Sequence, residues 1–90
     1  MANDDLFTAT TTWQPVQISA ADITNGTFTV FNRDREKVEL LKSDTLPAQP
    51  DKGSTFMKFK QDSIKVTLGA TEKLFCRTGA GTAILGVIPA

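Results

Sequence analysis

"SIKVTLGATEKLFCRTGAGTAILGVI", residues 63–88, carries three strand-like runs punctuated by two glycine-bearing turns. In the first run Ile64, Val66 and Leu68 fall on one face, the period-2 alternation of a half-buried strand. "GATE" then predicts a turn into "KLFCR", where Leu74, Cys76 and Thr78 share one face and Lys73, Phe75 and Arg77 the other. "TGAG" predicts a second turn, a hairpin that uses the freedom of glycine at positive φ. The last run, "TAILGVI", sets Ile84 and Ile88 on one face against Leu85 and Val87 on the other. A strand that is apolar on both faces tends to be buried on both.

The same grammar extends towards the amino end. "TFTVFN" places Phe28 and Val30 together, opposite Thr27, Thr29 and Phe31, and "KVELLK" places Val38 and Leu40 opposite Glu39 and Leu41. Asn25-Gly26 is a strong hairpin signal, "NRDREK" reads as a solvated turn, and "SDTLPAQPDKGST" is the longest loop. "FMKFK" is a further strand, and "VQISAAD" a short one. Thirteen threonines and no stretch of helical periodicity favour sheet throughout. "LFTATTTW" alternates as well, but Pro15 interrupts it, so residues 1–15 are expected as an amino-terminal arm or edge strand. Residues 16–90 are expected as a single domain. Its class is all-β, a small antiparallel sandwich or jelly-roll-like barrel of about seven or eight strands.

Composition restricts the chemistry. The 90 residues include ten basic and ten acidic ones and no histidine. A zero net charge lacks the basic excess on which non-specific nucleic-acid binding depends, so no nucleic-acid partner is expected. Without histidine the usual general base and the commonest metal ligand are missing, and tyrosine is absent too. No catalytic residue, metal or cofactor is therefore expected. The acid pairs Asp4–Asp5 and Asp34–Glu36 do not follow a calcium-loop pattern. "TGAGTAILG" lacks the lysine and the following helix of a phosphate loop. Cys76, alternating with Leu74, reads as a small core hydrophobe rather than a reactive thiol.

The opening "MANDDLFTAT" has acids where a secretion signal is basic and has no apolar core, which predicts folding in a reducing cytoplasm. "TAILGVIPA" is far shorter than the roughly 20 apolar residues of a membrane span, so no membrane partner is expected.

Phe31 and Phe75 fall on nominally polar faces, and the last strand has two apolar faces. These residues need cover from another molecule or from the chain itself. In the first case Phe31, Phe75, Leu85 and Val87 form a protein–protein contact, with residues 1–13 as a tether. In the second the amino-terminal segment folds over them, with Trp13 lying across.

The closing pattern resembles the ending of small β-rich virion proteins from tailed bacteriophages and prophages. The matching residues are Gly69, Glu72, Lys73, Leu74, Phe75, Arg77, Gly79, Gly81 and Thr82. "TATTTWQPVQIS" followed by "TFTVFNRD" resembles their openings, where a tryptophan precedes the first core strands. The chain departs from them in Cys76, where an alanine-like residue is usual, and in the charged "RDREK". The resemblance implies a non-enzymatic virion component, folded in the host cytoplasm. It would be a capsid decoration or cement protein that binds the major capsid protein or another virion protein as a small homo-oligomer. The alternatives are a tail or neck component, or a carbohydrate-binding module, for which Trp13 is the one large stacking side chain of its type.

Overall fold

The computed structural model describes residues 5–18, 21–34, 36–48, 55–57 and 63–89. Among them the chain forms β1 (Asp5–Ala9), β2 (Gln14–Pro15), β3 (Gln17–Ile18), β4 (Ala21–Asp22) and β5 (Thr24–Asn32). It continues with β6 (Val38–Ser43), β7 (Thr55–Met57), β8 (Ser63–Thr78) and β9 (Ala83–Pro89). Seven strands make one antiparallel sheet in the order β1-β9-β5-β8-β6-β7, with β2 also paired to β8, and β3 and β4 form a separate ribbon. The fold is all-β, a small curled sheet of the sandwich or barrel kind, as the alternation in the sequence leads one to expect.

The long strand β8 organises the molecule. Sixteen residues at about 3.3 Å each would reach roughly 50 Å if straight, whereas the longest dimension of the molecule is 31 Å. The strand must therefore bend across the core. Its first half pairs with β5, from Phe31↔Ser63 to Gly26↔Leu68. The second half pairs with β6, from Val38↔Thr78 to Ser43↔Lys73, and with β2 through Gln14↔Cys76 and Pro15↔Phe75. Two halves of one sheet thus close over a common interior.

The bend falls at residues 69–72, where the register against β5 jumps from Gly26↔Leu68 to Thr24↔Lys73. Asn25, at φ 52°, fills the short side of this irregularity. The Thr24 hydroxyl donates to the Glu72 carbonyl at 2.7 Å, and the Gly69 N–H donates to Glu72 Oε1 at 3.1 Å. Two expectations change here. "GATE" is a corner within one strand rather than a turn between two. Asn25-Gly26 is the short side of a bulge, inside β5 and facing the extra residues of β8, rather than a hairpin, because a tolerance for positive φ serves either structure.

The second glycine turn also differs from expectation. Gly81 does adopt positive φ, at 68°, and the Thr78 hydroxyl donates to its carbonyl at 2.7 Å. But β9 pairs with β5 and β1, not with β8, so the turn carries the chain from one half of the sheet to the other. It is not a hairpin. The polar "NRDREK" turn is organised by Asn32, which is buried. Its Nδ2 donates to the Glu36 carbonyl at 2.6 Å, and its Oδ1 accepts from the Asp34 N–H at 3.0 Å.

The interior draws on every part of this arrangement. Val30, Val38, Leu40, Leu74, Cys76, Leu85 and Val87 are buried in one cluster, joined by Ala9, Val16 and Ile23 from the amino-terminal third. Residues 5–9 form an edge strand on β9, and the segment beyond runs beside β8, with Val16 N–H donating to Leu74 O at 2.8 Å. Of the expected strand "FMKFK", residues 58–60 lie outside the described residues, as do residues 1–4 of the amino-terminal segment.

Candidate interaction face

The residues expected to form an intermolecular contact lie mostly inside the molecule. Leu85 and Val87 are completely buried, and Phe75 and Trp13 are 3% exposed. Phe31 alone among the five keeps partial exposure. For Leu85 and Val87 the reason is position. β9 lies between β1 and β5, and its odd-numbered residues face the shared core, so the outward face of the strand is the other one.

Phe75 and Trp13 are buried differently. Both stand apart from the main cluster, on the opposite side of β8 from Leu74 and Cys76. Pro15 lies directly across from Phe75 on β2, and Leu41 lies across from it on β6. The Arg77 guanidinium sits 4.5 Å from the Trp13 ring centroid, while its Nε donates to Glu39 Oε1 at 2.8 Å. The cover over Phe75 is thus supplied by the chain itself, through the segment that carries Trp13 and Pro15. Trp13 offers no exposed ring on which a sugar could stack.

Three of the four exposed large apolar side chains among the described residues lie on the outward side of β1, β9 and β5, the fourth being Leu46 in the loop after β6. Leu6 is 64% exposed, Ile84 41% and Ile88 38%. The register sets Leu6 opposite Gly86 and Gly86 opposite Phe31, so two large apolar side chains flank a residue with none. Ile84 stands opposite Thr8, and Ile88 opposite Thr29. Threonines continue this face onto β8, where the Thr27 and Thr67 hydroxyls bond at 3.0 Å. Its charges are Lys65, opposite Thr29 on β8, and Arg33, whose N–H extends the ladder by donating to Ile84 O at 2.9 Å. No acid occupies an outward position there among the described residues. The sequence separates Ile84 and Ile88 from Leu85 and Val87, but the expected contact fell on the latter pair, and the structure exposes the former. The contribution of Leu6 followed only from the pairing of β1 with β9.

Asp22 accepts from Gln17 Nε2 at 2.9 Å and from Lys73 Nζ at 3.0 Å. The Gln17 hydrogen bond, and then Lys73, hold its carboxyl below the ordinary value of 3.8. Burial pushes the Cys76 thiol up to about 12, which leaves it neutral and unreactive at physiological pH. Among the described residues no group of three or more His, Cys, Asp or Glu side chains is placed to hold a metal. A shallow groove of about 180 Å³ opens where β6 parts from the first half of β8, bridged by Lys42 Nζ to Thr67 O at 3.5 Å. Comparison with protein-family models, with curated proteins and with solved structures returns no match for this chain.

Proposed function

We propose that this protein is a non-enzymatic structural component of a bacteriophage virion, most specifically a capsid decoration protein that stabilises the head by binding capsomers. The observation that carries this reading is the outward face of β1, β9 and β5. A chain of 90 residues satisfies its own core and still presents Leu6, Ile84, Ile88 and part of Phe31 to solvent. Exposed apolar residues gathered on one sheet face suit protein contact. The chemistry-bearing candidates are engaged otherwise, with Cys76 buried and Asp22 held between Gln17 and Lys73. The resemblance of residues 63–88 to virion proteins supplies the setting, in which each copy would add contact area at a symmetry-repeated position.

The test is a count. Quantitative mass spectrometry of purified particles from the phage that encodes the chain should find it at on the order of hundreds of copies, commensurate with the capsid lattice. A dozen or fewer would assign it instead to the neck or tail. Absence from the particle would refute the reading.

A further inference from the structure

We infer that the first half of β8 is a docking edge, where an extended acidic segment of a partner protein adds as a further strand alongside Ser63, Lys65 and Thr67. This inference goes beyond the virion reading and does not depend on it.

The edge follows from the ladder. β8 lies between β5 and β6, so its two edges face those two strands. Pairing with β6 begins only at Lys73, after the corner, which leaves residues 63–68 without a strand on that side among the described residues. In an antiparallel ladder successive residues turn their backbone groups alternately to one neighbour and to the other. The Arg33 N–H bonds to Ile84 O, which turns the odd-numbered residues of β5 towards β9 and the even-numbered ones, Phe28 and Val30, towards β8. Their partners Val66 and Ile64 therefore face β5, and Ser63, Lys65 and Thr67 turn their N–H and C=O groups to the open side. Two contacts agree with this. The Thr27 and Thr67 hydroxyls approach to 3.0 Å, as suits the closer, non-hydrogen-bonded kind of residue pair. From the β6 side, Lys42 Nζ reaches Thr67 O at 3.5 Å.

An extended peptide is the occupant that such an edge specifies, because a row of unpaired N–H and C=O groups is completed by another strand. The Lys42 ammonium stands where a ladder donor would. Its contact is exposed and at the limit of hydrogen-bond length, so an incoming N–H can displace it. Beside the edge, the groove of about 180 Å³ is lined by Leu40, Val66 and Leu74. Sites that bury a whole small molecule run to roughly 300–1,000 Å³. This one takes a side chain of the added strand.

Charge selects the segment. Lys42 and Lys65 both line the groove, and neither forms an ion pair among the described residues. A second copy of the same edge would set these lysines against one another, which like-charge repulsion disfavours. A strand that alternates aliphatic and acidic residues places the first over Val66 and the second beside the two ammoniums.

The experiment uses the whole protein and a synthetic peptide that alternates valine with glutamate. In the free protein, amide exchange should be at least about tenfold faster at Lys65 and Thr67 than at Ile64 and Val66, which bond to β5. Titration with the peptide should slow Lys65 and Thr67 to the same class and leave Ile84 and Ile88 unchanged. Lys42→Glu and Lys65→Glu, both at exposed positions, should each weaken binding about tenfold, and added salt should weaken it in the wild type. Leu6→Asp, on the exposed side of β1, should bind as wild type does. A peptide N-methylated at every residue keeps its charges and loses its donors, and should bind at least about tenfold more weakly. A valine–lysine peptide should do the same.

The inference is overturned if Lys65 and Thr67 are as protected as Val66 in the free protein, since the chain then covers its own edge. It is overturned equally if the valine–glutamate peptide leaves those amides unchanged, or if the N-methylated or valine–lysine peptide binds as tightly. Wild-type affinity in both lysine variants would also overturn it.

Discussion

The Arg77 guanidinium lies 4.5 Å from the centroid of the Trp13 ring, joining the amino-terminal segment to the second half of β8. Arg77 also donates to Glu39 at 2.8 Å, with both side chains less than one-fifth exposed, so one residue of β8 links Trp13, just before β2, to β6. The ring, the guanidinium and the carboxylate close the surface above Phe75. Trp13→Ala should therefore cost about 3–5 kcal/mol, as for other buried large-to-small changes, read from urea unfolding. Arg77→Lys keeps the charge but loses the planar fork, and should cost about 1 kcal/mol. If Trp13→Ala unfolds like wild type, this segment does not close the structure.

Cys76 should behave as a core residue. Its thiol should react with a disulfide reagent at least about 1,000-fold more slowly in the folded protein than in denaturant, since access requires opening of the core. With the folded thiol at about 12 against an ordinary 9.0, stability is intact below pH 9. It falls as pH rises from there towards 12, because only the unfolded chain ionises readily. Cys76→Ser should cost about 1–3 kcal/mol through burial of a hydroxyl. Rapid labelling of the native protein at neutral pH would contradict the placement.

Asp22 gives the opposite dependence on pH. Its carboxyl is held below 3.8 by Gln17 and Lys73, so its contribution is present above that value and is lost as pH falls through the lowered folded one. The Asp22 and Lys73 side chains are 27% and 39% exposed, so solvent screening keeps the pair to about 0.5–1 kcal/mol. Asp22→Asn should cost that amount from neutral pH to pH 9 and little below the lowered folded value, so the acid limb of the stability curve flattens. An unchanged acid limb would show that the pair contributes nothing.

The corner in β8 depends on one hydroxyl. Thr24→Val removes the 2.7 Å bond to the Glu72 carbonyl while keeping the shape of the side chain. It should cost about 1 kcal/mol and speed amide exchange at residues 69–73 more than in β9. Uniform acceleration across the sheet would place the effect in the core instead.

How much of this was legible beforehand depends on which physical signal each residue carries. Alternation assigned Val30 with Phe28, Leu40 with Val38 and Cys76 with Leu74 to the interior, and each pair does face inward. For β9 alternation was silent, because Ile84 with Ile88 and Leu85 with Val87 are equally apolar sets. Only the inward orientation of Val30, opposite Val87 on β5, decides between them. The glycine turns were legible as places of permissive backbone but not as topology. Positive φ at Asn25 and Gly81 serves the short side of a bulge and a crossing between halves of one sheet as readily as a hairpin. Phe75 raised the right question, that of its cover, and the answer lay in a pairing with Pro15 that spans 60 residues of sequence.

If the chain decorates a phage shell, as we propose, the outer face of β1, β9 and β5 should meet that shell. A cryo-electron-microscopy difference map between particles with and without the protein would show it. Density should repeat over the capsid lattice, with Leu6, Ile84 and Ile88 turned towards the shell. Density confined to a single vertex, or a copy bound with Ile84 and Ile88 facing solvent, would contradict it.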